Sequence, residues 1–107
     1  MPFDRVWDSR ARDDIANLYL DNPLQRSGLA KAVDSADRQL RLHPEIAGVQ
    51  LPWQELGDHC QSVLLARIGT QPRGMWLIRA GEIDLFFTMS KADSRVEVWY
   101  VRQVPQI

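Results

Sequence analysis

The chain has 107 residues, 45% hydrophobic and 25% charged, an ordinary balance for a globular domain that excludes disorder as its main state. At this length it forms one domain, 1–107, able to bury roughly 60–70% of its unfolded surface. A formal net charge of -1 excludes a global positive field for nucleic acid, and no apolar run approaches the roughly 18 residues of a membrane-spanning helix. The single cysteine, Cys60, has no internal disulfide partner, and MPFDRVWDSR has no signal-peptide core, so a reducing cytoplasm is the expected location.

Charge is unevenly placed. Residues 1–60 carry seven Arg and Lys against ten Asp and Glu, whereas residues 61–107 carry six against four. Eleven of the thirteen basic residues are arginine, the better bidentate partner for carboxylates and phosphates.

DRVW, Asp4 to Trp7, predicts a short strand. Asp8 and Ser9 offer N-capping oxygens, and Asp13 and Asp14 suit the positive end of a helix dipole. Ala11, Ile15, Leu18 and Tyr19 then make one apolar helical stripe. Asn22 and Pro23 stop this helix and start a second, with Asn22 as its cap and Pro23 in its first turn. The second helix runs to about Arg41 on a stripe of Leu29, Val33, Ala36 and Leu40, and His43 before Pro44 ends it. Two antiparallel helices joined by a tight turn follow.

From Pro44 to His59 no period is sustained, and the segment reads as a long connection with an extended piece at Val49 to Leu51. Four strand-like runs come next: Gln61–Ile68, Gly74–Ala80, Ile83–Met89 and Arg95–Val104. In the last, alternation puts Val96, Val98 and Tyr100 on one face and Glu97, Trp99 and Val101 on the other. SKADS is a hairpin turn. Helices gathered before hairpin-connected strands predict an α+β fold of two layers. The short N-terminal strand and two antiparallel helices would pack on a three- to four-stranded, mainly antiparallel sheet.

The runs RVWDSRARDDIANLYL, AVDSADRQLRLHPEIAG and IRAGEIDLFFTMSKADSRVEVWYVRQ together resemble the RelE/ParE superfamily of toxins from bacterial type II toxin–antitoxin pairs. The likeness covers nearly the whole chain, apart from the loop Gln50 to Cys60. It implies growth inhibition or plasmid stabilisation, neutralised by a cognate antitoxin. The target would be DNA gyrase in the ParE-like branch, or messenger RNA on the ribosome in the RelE-like branch.

Metal-free RNA cleavage needs groups that activate the 2′-hydroxyl, stabilise the phosphate and protonate the leaving oxygen. The nuclease branch uses strand Lys and Arg with a C-terminal Tyr or His. Here Arg79 and Arg102 remain, but Asp84 stands where that branch often has an arginine, and only five residues follow Arg102. A carboxylate repels an RNA phosphate, so the resemblance points to a binding protein of the ParE-like kind. The alternatives are a nuclease using Arg79 and Arg102, or an inactive relative serving as an interaction module.

Asp84 is expected to be a strand-edge residue paired with Arg79 or Arg95, or else a contact for an antitoxin arginine. Arg67, Arg79, Arg95 and Arg102 are the expected surface for a polyanion or acidic partner. Of the four tryptophans, Trp53, in the loop beside Pro52, is the expected interface anchor. His59 and Cys60 are neighbours on what reads as extended chain and point apart, and Asp58 and His43 have no ligand spacing. Glu82 and Asp84 lack a third ligand. GTQPRG, Gly69 to Gly74, is not a phosphate loop. No metal or cofactor is expected.

Overall fold

Helix α1 (Ser9–Asp21) begins at the expected cap: Asp8, at φ -57° and ψ 141°, accepts a hydrogen bond from the Arg10 amide at 3.1 Å. The Arg10 guanidinium also donates to Asp8 and to the carbonyls of Ala66 and Arg67, at 3.3 and 2.8 Å, and so ties the start of α1 to the far end of a later helix. The Arg10 hydrogen bonds hold the Asp8 carboxyl below its ordinary pKa. Folding therefore favours the charged form, and its stabilisation is full above the unfolded pKa and lost as pH falls through the folded one. Asp8→Ala should cost about 1 kcal/mol at neutral pH. In urea unfolding followed against pH, the gap to wild type should close in acid; a gap unchanged there would sink this assignment.

The computed structural model describes residues 2–105. Asn22 does not cap the second helix. Its backbone and side-chain N–H groups both donate back to the Leu18 carbonyl, closing α1, and Pro23–Gln25 forms a 3-10 turn. Helix α2 (Arg26–Leu42) follows and ends at His43. It buries Leu29, Ala32, Ala36 and Leu40, while Val33 lies at the margin, so the stripe is rotated slightly from the expected one. The connection after Pro44 is more ordered than its composition suggests, holding helix α3 (Pro44–Ala47) and a short strand at the expected place.

One sheet holds five strands: β1 (Asp4–Trp7), β2 (Val49–Leu51), β3 (Met75–Ala80), β4 (Ile83–Ser90) and β5 (Arg95–Gln103), in the order β1-β5-β4-β3-β2. β1 is parallel to β5 and every other pairing is antiparallel. The mixed α+β fold with a short N-terminal strand and a helix pair on a mainly antiparallel sheet is as expected. Gly81, at φ 57°, makes the tight β3–β4 turn, and a side chain there would also press on Ala32 of α2.

Two further expectations fail. Gln61–Ile68 is not a strand but most of helix α4 (Asp58–Ile68), which starts after Gly57 and stops at Gly69 in the left-handed conformation. Cys60 and Leu64, four residues apart, are its buried face. With Leu56, Met75 and Phe86 they form a second core on the sheet face opposite α1 and α2, giving three layers rather than two.

The alternation in β5 also breaks. The register with β4 shifts between Phe86 and Phe87, leaving Trp99 as the extra residue of a β-bulge. Val96, Val98 and Val101 consequently all face α1 and α2, while Trp99 and Tyr100 both face α4.

Candidate binding surface

Three of the four expected arginines lie on the α4 face of the sheet. β3 and β4 are joined by two residues, which sets Arg79 directly opposite Asp84. Across the other edge of β4, Asp84 stands opposite Arg102. The three side chains form a row over three adjacent strands.

Asp84 is fully buried in the centre of the sheet, not at a strand edge, and neither of its neighbours is Arg95. It accepts hydrogen bonds from Arg79 Nε at 2.8 Å and Nη2 at 3.2 Å, and a longer one from Arg102 Nε at 3.4 Å. The Arg79 side chain is 56% exposed and that of Arg102 28%. Hydrogen bonding to Asp84 and its charge raise the pKa of Arg79 further above its already high value.

A second ion pair lies beside the first. Arg67, from the last turn of α4, holds Asp14 of α1 in a bidentate pair at 2.5 and 2.9 Å, and both side chains are 15% exposed. The hydrogen bond to Asp14 raises the Arg67 pKa against the cost of burial. β1 stops at Trp7, opposite Val98, so β5 beyond that point has no strand on that side. Asp14 accepts the Val101 amide there at 3.0 Å and Arg67 donates to the Trp99 carbonyl at 3.0 Å, which satisfies the open edge.

Aromatic rings connect the pairs. Arg102 lies 5.0 Å from the centre of the Phe86 ring, Phe86 stacks on Tyr100 at 5.6 Å, and Arg67 lies 5.1 Å from the Tyr100 ring. Burial pushes the Tyr100 phenol up, and nearby Cys60 adds to this against the opposing pull of Arg102. Cys60 is likewise pushed up by burial, which keeps its thiol protonated and unreactive near neutrality.

Three of the four expected arginines, Arg67, Arg79 and Arg102, therefore gather on one face. Arg95 does not join them: it opens β5 at the opposite end, opposite Ser90, roughly 20 Å from Arg102 by the rise of a strand, and contacts Glu97 at 3.5 Å. Trp53 sits in a 3-10 turn, half-buried against the second core, and its carbonyl accepts from Gln61 at 2.8 Å. His59 and Cys60 lie in the first turn of α4, the histidine exposed and the cysteine buried. Glu82 is exposed in the β3–β4 turn, off the strand that carries Asp84. Among the described residues no group of three or more His, Cys, Asp or Glu could hold a metal ion, and no helix is long and apolar enough to cross a membrane.

Asp14, Phe86 and Tyr100 were not anticipated as members of this surface. The Arg79–Asp84 pair was open to detection, because a two-residue turn fixes which residues face each other. The Asp14–Arg67 pair has no local signal, since its members are 53 residues apart.

No family model matches the chain, and no curated protein matches it. Among solved structures, a chain of the toxin–antitoxin complex RelBE2 from Mycobacterium tuberculosis is similar with a TM-score of 0.66 over 96% of this chain and 99% of that one, at 20% sequence identity. The two share a fold.

Proposed function

We propose that this chain is a toxin-like protein of a type II toxin–antitoxin pair, acting in the cytoplasm by binding a macromolecule in the ParE-like manner and held inactive by an antitoxin. The shared fold with a toxin–antitoxin structure supports the general reading. The observation that carries the binding mode is Asp84, buried and shared by Arg79 and Arg102. Guanidiniums engaged with an internal carboxylate are poorly suited to stabilising charge on a scissile phosphate, because each is already neutralised in part.

The surface formed by Arg79 and Arg102, with Arg67 beside them and Trp53 at the margin of the same core, suits an acidic segment of a protein partner. Arg79→Gln should weaken binding to the antitoxin by about tenfold, while Arg95→Gln, at the other end of β5, changes it less than about twofold. Titration calorimetry decides, and equal effects at the two positions would remove the site from the alternatives worth pursuing.

Tightly controlled induction of the chain alone tests the function itself. Growth arrest relieved by co-expression of the neighbouring reading frame supports a toxin; normal growth with soluble, folded protein and tight antitoxin binding favours an inactive interaction module. The RelE-like nuclease reading requires new cleavage sites within translated frames, which primer-extension mapping after induction would reveal.

A further inference from the structure

We propose that Asp84 determines which anions this face accepts: its carboxylate fills the oxyanion seat between Arg79 and Arg102, so the face rejects phosphodiesters and takes a single carboxylate from an acidic protein partner. This deepens the binding reading above and rests on it for the existence of a partner at that face.

Cross-strand register sets Arg79, Asp84 and Arg102 side by side, and the central carboxylate lies in the floor of the sheet beneath two partly exposed guanidiniums. Two arginines on the strands either side of a central one would present a fork for a phosphate, with several N–H donors pointing to one point. Here that point is occupied. Arg79 commits Nε and one terminal nitrogen to Asp84, and Arg102 commits Nε. Asp84 belongs to the central strand β4 and has no solvent exposure, so it cannot swing aside to admit a competing anion.

The charge count gives the same answer. Arg67, Arg79 and Arg102 contribute three positive charges, and Asp14 and Asp84 remove two, leaving one. A single net charge matches one carboxylate and gives little attraction to a run of phosphates, whose binding depends on how many of them are neutralised. Among the described residues the terminal nitrogens of Arg102 make no hydrogen bond to Asp84, and they can donate to such a carboxylate. A purely structural carboxylate would stabilise the fold without setting ligand preference, and the two roles differ in their consequences.

The test uses the purified protein with two probes, a short single-stranded oligouridylate and an otherwise uncharged peptide carrying one glutamate, titrated at several salt concentrations. With Asp84 in place, Arg79→Gln or Arg102→Gln should change oligouridylate affinity less than about twofold, while binding of the glutamate peptide weakens. Asp84→Asn, which keeps the shape and removes the charge, should raise oligouridylate affinity roughly 10- to 100-fold, the size expected for deleting one like charge at contact range in a partly screened site. Its salt dependence should steepen, and adding Arg79→Gln should abolish the gain.

No gain in folded Asp84→Asn, or a gain that survives loss of Arg79, overturns the proposal. If Asp84→Asn fails to fold, the wild-type arginine series decides: a tenfold or greater loss of oligouridylate affinity in Arg102→Gln would show that the seat already takes phosphate. Binding of the glutamate peptide indifferent to both arginines would overturn the carboxylate half. These titrations do not involve growth, so a failed toxin reading and a failed seat are distinguishable.

Discussion

Removing Arg79 and Arg102 together should destabilise the protein far more than the two single replacements predict by addition. Asp84 has no exposure to solvent, and its charge is compensated by these two side chains alone among the described ion pairs. Arg79 is largely in water, so its own loss is screened and its replacement alone leaves Arg102 as counter-charge. Stranding the carboxylate with neither partner is a different event: an uncompensated charge buried in the middle of a sheet costs roughly 3–5 kcal/mol. In urea unfolding, Arg79→Ala/Arg102→Ala should fall well below the sum of the single variants, and adding Asp84→Leu should recover most of the loss. Additivity within about 0.5 kcal/mol would mean that Asp84 does not depend on the pair.

Asp14→Ala should cost about 2–4 kcal/mol, somewhat below the loss of a fully buried pair because both its members keep slight exposure. One side chain serves three donors on two other elements: two terminal nitrogens of Arg67 on α4 and the Val101 amide on β5. Its removal leaves a largely buried guanidinium and an unpaired strand N–H at the edge that β1 does not reach. Asp14→Asn keeps an acceptor for Val101 and should lose about half as much. Amide exchange separates this account from general loosening, since Val101 should lose protection before Leu85, its partner in β4. Unchanged exchange at Val101 would refute the edge-closing role.

The two ion pairs and the stacked rings between them make the α4 face a prearranged surface. Arg67 and Arg102 are each fixed by a carboxylate and covered on one side by an aromatic ring, so these two have little conformational entropy left to lose when a partner docks. The opposite face of the sheet is filled by the apolar stripes of α1 and α2.

Much of this protein follows from its sequence alone. The stripes of α1 and α2, the strands β3 to β5 and the turn that pairs Arg79 with Asp84 depend on periodicity and turn chemistry within a few residues, and such information is local. Helix α4 is not legible locally because a short apolar run satisfies either period; its helical spacing of Cys60 and Leu64 matters only once a second sheet face needs cover. The rest was decided by tertiary packing. Without the bulge at Trp99, the register of the β4–β5 turn would carry Val101 rather than Arg102 to Asp84, and the site would hold one arginine. Asp14 likewise looks like an ordinary helix acid until α1 closes over the open edge of β5 and meets Arg67 from α4. Both outcomes depend on where whole elements come to rest, a property of the packed core rather than of any single stretch of chain.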